Sequence, residues 1–208
     1  MARVAAQLTN FTGGELSPRL DCRNDWTKYT SGCKTLENFV VYPHGAAARR
    51  PGTTFVAEVA NSANKTRLIP FEFSTTQTYM LEFSNLKMRV YKDRGSVLEG
   101  DKTISAITKA NPAVVTATSH GYENGDEVVI TAVGGMTEVN SKRFLVAGKT
   151  TNTFQLTNKD GANINSSSFT TYTSGGVSNK VFEITTPYTT AQLFDLKFAQ
   201  SADVMYIT

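Results

Sequence analysis

Apolar and β-branched residues in this chain come in runs of only a few positions, and nearly every run is closed by Gly, Pro, Asn, Asp or a Ser/Thr cluster. No long window places apolar residues at i, i+3, i+4 and i+7, the spacing an amphipathic helix needs. Punctuation of this kind predicts a mainly β fold of short strands joined by turns. Phe71-Glu72-Phe73 and Tyr79-Met80-Leu81-Glu82-Phe83 alternate on either side of the polar stretch 74–78, which reads as strand, turn, strand. Met88 to Lys92 adds a third strand, and the Asp93-Arg94-Gly95 turn closes an antiparallel meander.

Composition shifts near residue 103. From Thr103 to about Lys180 the chain is rich in Thr, Asn, Ser, Gly and Val and keeps a single arginine, Arg143. Within it Ala113 to Thr118, Glu127 to Val133, Arg143 to Ala147 and Thr153 to Leu156 are short β-type runs. Turn signals at Glu123-Asn124-Gly125-Asp126, Gly134-Gly135, Thr150-Thr151-Asn152 and Asp160-Gly161 bound them. Such regular spacing suggests a small barrel or sandwich. Apolar content returns with Val181-Phe182-Glu183-Ile184. Phe198 and Val204-Met205-Tyr206-Ile207 then flank a Gln-Ser-Ala-Asp turn at 200–203. The organisation expected is an antiparallel host β domain, residues 1–102 and 181–208, interrupted by a small inserted β-barrel at 103–180. Insertion at a loop tip is well tolerated. The chain stops just after an apolar strand, so the host domain is expected to be incomplete and open to a propeller-like completion.

Several function classes lose ground on composition. The longest apolar run is a handful of residues, far short of the roughly 20 that span a bilayer as a helix. The N-terminus, Met1 to Leu8, has no apolar stretch of the roughly 7–15 residues a signal peptide needs. The net charge of +3 is small, but residues 1–100 carry 13 Lys and Arg against 9 Asp and Glu, and residues 101–208 carry 8 against 9. Any basic surface therefore belongs to the first half. Cys22 and Cys33 fit neither a disulfide framework nor zinc knuckles and read as free thiols. His44 and His120, the only histidines, stand too far apart in sequence for a closed metal site of short ligand spacing. No metal or cofactor is expected.

Catalytic chemistry cannot be assembled locally either. Asp126-Glu127 would alternate across a strand and reads as a solvated turn acid. His120, between Ser119 and Gly121, reads as a turn cap rather than a general base, since no carboxylate stands beside it. No Gly-rich loop ends in Lys-Ser or Lys-Thr. Trp26, with Tyr29, reads as a core or interface anchor, because single-strand stacking platforms repeat aromatics along a basic groove. The expectation is a protein that is not an enzyme.

Two resemblances sharpen this. Asn10-Phe11-Thr12-Gly13-Gly14-Glu15-Leu16-Ser17-Pro18-Arg19-Leu20, then Gly32-Cys33-Lys34-Thr35-Leu36-Glu37-Asn38-Phe39 and Arg49-Arg50-Pro51-Gly52-Thr53, resemble the N-terminus of phage tail nozzle proteins, also called tail tubular protein B. Leu68-Ile69-Pro70-Phe71-Glu72-Phe73 and Phe198-Ala199-Gln200-Ser201-Ala202-Asp203 look like that family's continuation. The resemblance implies a homo-oligomeric, non-enzymatic ring in a virion tail. It would be made in the bacterial cytoplasm and sit below portal and adaptor, in transient contact with exiting DNA. Arg19, Arg23, Arg49 and Arg50 are then candidates for a subunit interface or the DNA channel. For Arg49 and Arg50 the plainer alternatives are interface salt bridges or a solvated edge.

The second resemblance lies in the insert. His120-Gly121, Gly125-Asp126, Gly134 to Asn140, Phe144, Phe154-Gln155-Leu156 and Gly161 look like the small β-barrel called the first catalytic cysteine half-domain of ubiquitin-activating enzymes. That half-domain lacks the catalytic cysteine, and residues 103–180 contain no cysteine, so ubiquitin activation is not implied. An alternative function is host recognition, with the barrel binding glycan or protein.

Overall fold

The computed structural model describes residues 8–74 and 76–208. Two compact units result, one running to Phe55 and the other Val56–Thr208. No helix among the described residues is long and apolar enough to cross a membrane. Strands dominate throughout, as the turn punctuation predicts.

In the first unit, β1 (Gly14–Glu15) pairs in parallel with β2 (Gly32–Cys33). The segments around Gly13-Gly14-Glu15 and Gly32-Cys33 therefore lie side by side. Glycine is required at position 13, where a Cβ would stand 2.8 Å from the Lys28 carbonyl oxygen. The Glu15 carboxylate accepts the Leu36 N–H at 2.7 Å and ties the second segment to the first. A hairpin follows, β3 (Phe39–Val41) with β4 (Ala47–Arg49), closed by the Tyr42 to Ala46 turn. Gly45 is the only buried residue among those described in this unit.

The second unit begins with the meander: β5 (Arg67–Glu72), β6 (Thr78–Ser84), β7 (Lys87–Lys92) and the short β8 (Gly95–Ser96) on β7. Strand alternation gives the sheet two faces. Ile69, Leu81, Phe83 and Met88 point to one side and pack on Tyr188, Leu193, Leu196, Met205 and Ile207. Arg67 fastens that layer by donating to the carbonyls of Leu193 and Leu196, at 2.9 and 2.7 Å. Leu68, Pro70, Met80, Glu82, Arg89 and Tyr91 occupy the other side, in register across the strands.

The barrel strands come next: β9 (Lys102–Thr103), β10 (Ala106–Ile107), β11 (Val114–Thr116), β12 (Glu127–Gly134), β13 (Lys142–Ala147), β14 (Thr153–Thr157) and β15 (Ser174–Lys180). They form one antiparallel sheet in the order β10-β11-β14-β13-β12-β15-β9. Its two ends are one continuous segment. Thr103 pairs with Val177 and Ile104 donates to Gly176, while Ser105 donates to Thr116 and Ile107 pairs with Val115. Residues 102–107 thus bond to both edges and curl the sheet into a barrel, which removes its open edges. Val115, Val128, Ile130, Met136, Val139, Phe154 and Leu156 fill the interior. Gly176 lets β15 approach β12, since a Cβ there would meet the Val133 Cγ2 at 2.5 Å and its φ is +100°.

The chain leaves the barrel beside its entry: Glu99 donates to the Lys180 carbonyl, and Val181 bridges Leu98. Strand β16 (Glu183–Thr185) then joins the free edge of β7. The apolar run predicted from Val181 to Ile184 is a strand only in its second half, because Val181 and Phe182 are held as the crossing between two sheets. A closing hairpin, β17 (Phe198–Ser201) with β18 (Val204–Ile207), turns on Ala202-Asp203 alone, so Gln200 and Ser201 of the predicted turn belong to the strand. The outer edge of the meander is blunted. Phe73 donates inward to Gln77, so alternation turns the amides of 68, 70 and 72 outward. Pro70 has no amide hydrogen, and the Gln200 side chain accepts from Glu72 N–H and donates to its carbonyl.

Candidate functional site: a buried charge junction and an open cleft

The polar face of the meander meets the outside of the barrel. On β12, Val128 and Ile130 point into the barrel, which turns Glu127 outward at the strand's start. It is nevertheless 4% exposed, because β7 lies over it. Arg89, 5% exposed, places Nη1 2.9 Å from one Glu127 oxygen and donates from Nε to Glu183 at 2.9 Å. Arg143 donates to the other Glu127 oxygen at 3.1 Å and to the Ser96 hydroxyl at 2.9 Å. Lys159 Nζ stands 3.4 Å from Glu127 and donates to the carbonyls of Glu58 and Val59. Lys87 completes the set with an ion pair to Glu183 at 2.5 Å.

The Asp126-Glu127 pair is therefore not the solvated turn acid expected. Asp126 does behave as a turn residue, accepting the Glu123 N–H at 2.8 Å and facing Lys180 at 3.1 Å. Glu127 is drawn into a junction by residues far away in the chain, which local sequence does not reveal. The nearest available signal is Arg143, the one arginine of the barrel, one strand away from the acid.

The junction's electrostatics follow from burial and pairing. Desolvation alone would push the Glu183 carboxyl up, but hydrogen bonds from Lys87 and Arg89 and the charge of both outweigh it and hold it below its ordinary value. A depressed carboxyl contributes stability above its unfolded value of about 4.3, and that contribution fades as pH falls through the folded value. Burial works against the Arg89 guanidinium, yet Glu127 and Glu183 keep it more firmly charged than in water. Tyr91 donates to the Glu82 carboxylate at 2.5 Å, and burial, with that bond second, pushes its hydroxyl up to about 12. It stays a donor at any ordinary pH.

Beyond Arg89 the same face opens to solvent at Leu68 and Met80. Leu68, Pro70 and Met80 floor an open cleft of about 550 Å³, with Val56 and Val59 on one wall and Tyr91 and Glu82 on another. Glu82 is 2% exposed, and its second oxygen, Oε1, has no hydrogen-bond partner.

The four arginines singled out from sequence all lie in the first unit. Arg23 forms a two-pronged pair with Asp25, both bonds 2.8 Å, and is exposed. Arg50 donates to the Asn38 side chain at 2.7 Å, across the end of the β3–β4 hairpin. Arg19 sits in a single 3₁₀ turn capped by Ser17, and Arg49 ends β4; neither side chain has a hydrogen-bond partner among the described residues. No hydrogen bond ties the four together, so they are separate surface charges.

The remaining sequence candidates resolve plainly. Cys22 and Cys33 are free. His44 stacks on Tyr42, while His120 is buried against Tyr122 and Phe154. His120 Nδ1 accepts the Tyr122 N–H at 3.0 Å and Nε2 faces the Thr153 carbonyl, so the ring caps its turn from inside the core. Trp26 is 37% exposed and anchors no core. No group of three or more His, Cys, Asp or Glu among the described residues is placed to hold a metal ion.

Compared with known families, residues 110–181 match the ubiquitin-activating enzyme E1 FCCH domain. The match spans the barrel from before β11 to just past β15, and the fold agrees with it. No curated protein matches the chain. The identity that these observations carry is thus that of the module: a barrel similar to the FCCH domain, joined to a β meander through buried charges.

Proposed function

We propose that this chain is part of a non-enzymatic ring protein of a bacteriophage tail, a nozzle through which DNA leaves the virion. The observation that carries the reading is the character of residues 8–55. This unit holds the nozzle-like motifs, buries no side chain of its own, and leaves Trp26, Phe39, Val40, Tyr42 and Phe55 exposed. Apolar surface of that extent belongs against another protein. Repeated head-to-tail contacts between copies close into rings and need shaped surface rather than reactive groups. The buried junction supports the same view. Its central charges, Arg89 and Glu127, are paired and buried, which suits a rigid building block and not a site of turnover.

In this reading the protein is made in the bacterial cytoplasm and ends in the virion tail. Its partners are further copies of itself, the portal and adaptor above, and exiting DNA in passing; no cofactor is involved. Arg19, Arg23, Arg49 and Arg50 contribute to the subunit interface or face the channel, and the barrel is carried as an insertion at 103–180. Negative-stain microscopy of the complete protein, alone and with its portal complex, is expected to show closed rings. Arg50→Glu should impair ring formation without moving the melting midpoint, because a surface charge affects association more than fold. Single copies under both conditions would overturn the proposal.

A further inference from the structure

We propose that the open cleft beside Glu82 binds a lysine side chain presented on an apolar peptide segment of a partner protein. Three observations lead there. Glu82 is buried, yet only one of its carboxylate oxygens is hydrogen-bonded, to Tyr91. Arg89, its cross-strand neighbour, directs its hydrogen bond to Glu183 and its closest charge contact to Glu127, so no bond from it reaches Glu82. A buried acceptor left alone is costly, and a donor entering from the cleft relieves that cost.

The floor and near wall decide the rest of the ligand. Leu68, Pro70, Met80 and Val56 offer apolar surface over a volume larger than one side chain, which fits a four-carbon stem with apolar neighbours. Because Tyr91 already occupies one oxygen, the carboxylate presents one unpartnered oxygen, Oε1. That favours the compact ammonium of lysine over the two-pronged guanidinium of arginine. Leu68 lies directly opposite Glu82 on β5 and is 58% exposed, so its side chain is free to move aside as the ammonium enters. The partner does not join the sheet as an added strand, since Pro70 and Gln200 block that edge.

The test follows the Met80 methyl resonance of the full chain while an acetylated, amidated Leu-Lys-Leu peptide is added. Parallel arms use Leu-Gln-Leu, hexylammonium chloride and hexanol. Saturable shifts with Leu-Lys-Leu, absent with Leu-Gln-Leu and hexanol, are expected. Glu82→Gln should weaken binding by about tenfold or more. Should that variant fail to fold, Leu68→Lys serves instead: it supplies an ammonium within the chain, opposite Glu82, and should abolish peptide binding while keeping the wild-type melting midpoint. Equal shifts with Leu-Gln-Leu, or undiminished peptide binding by Leu68→Lys, would overturn the proposal. Binding of hexylammonium without the peptide would overturn the peptide source.

Discussion

Replacing Glu127 with Ala should lower the free energy of unfolding by about 3–5 kcal/mol, the cost of leaving a buried cation short of its partner. The cation is Arg89, which is 5% exposed and would keep only Glu183. Arg143 and Lys159 also lose a partner, but their side chains are 23% and 20% exposed and rehydrate at less cost. The junction itself need not be strongly stabilising, because drawing both charges out of water offsets much of their attraction. A double replacement, Arg89→Met with Glu127→Leu, should therefore lose less than Glu127→Ala alone. Chemical denaturation of the single and double variants measures both values. If Glu127→Ala stayed within about 1 kcal/mol of wild type, a typical surface effect, the junction would not be the bond between sheet and barrel described above.

Gly135→Ala is the second large effect. Its φ is +79°, and a Cβ would stand 2.1 Å from the Thr171 carbonyl oxygen and 2.9 Å from the Thr173 amide nitrogen. Both obstacles are backbone, so no side-chain rotation relieves them. The turn also delivers Met136 and Val139, both fully buried, to the barrel floor. Left-handed strain costs about 1–2 kcal/mol, and forced displacement in a packed core about 1–3, for a loss of roughly 2–4 kcal/mol. Gly161→Ala is the control. Its φ is +81° with nothing within 4 Å of a Cβ, so only the strain of about 1–2 kcal/mol applies. Equal losses at the two positions, read from melting curves, would mean that the close approach at Thr171 is not enforced.

Much of this fold was legible because its strands are short and separated by turn residues. The second and third meander strands and the strands beginning at Glu127, Lys142 and Thr153 lie where alternation and β-branched runs place them. The first meander strand instead runs over Arg67–Glu72 and ends before Phe73 rather than occupying 71–73. Strand β15 was not foreseen. Its sequence, Ser-Gly-Gly-Val-Ser-Asn-Lys, has neither alternation nor β-branched density, and it is a strand because its glycines let it lie close to β12. The junction was illegible for a different reason. Glu127, Arg89 and Glu183 are far apart in the chain, and each alone looks like an ordinary surface charge. The same holds for Glu82, whose alternation within β6 places it on a face but says nothing of what covers that face.

The central claim, that this chain builds a tail ring, is tested most directly by blocking translation of its gene in a phage that carries it and imaging the particles. The expected result is DNA-filled heads that lack the nozzle and do not infect. The complete protein supplied in trans should restore infectivity, and so should a version with Cys22→Ser and Cys33→Ser, since the proposed ring requires no thiol chemistry. Infectious particles with intact tails from the blocked infection would contradict it.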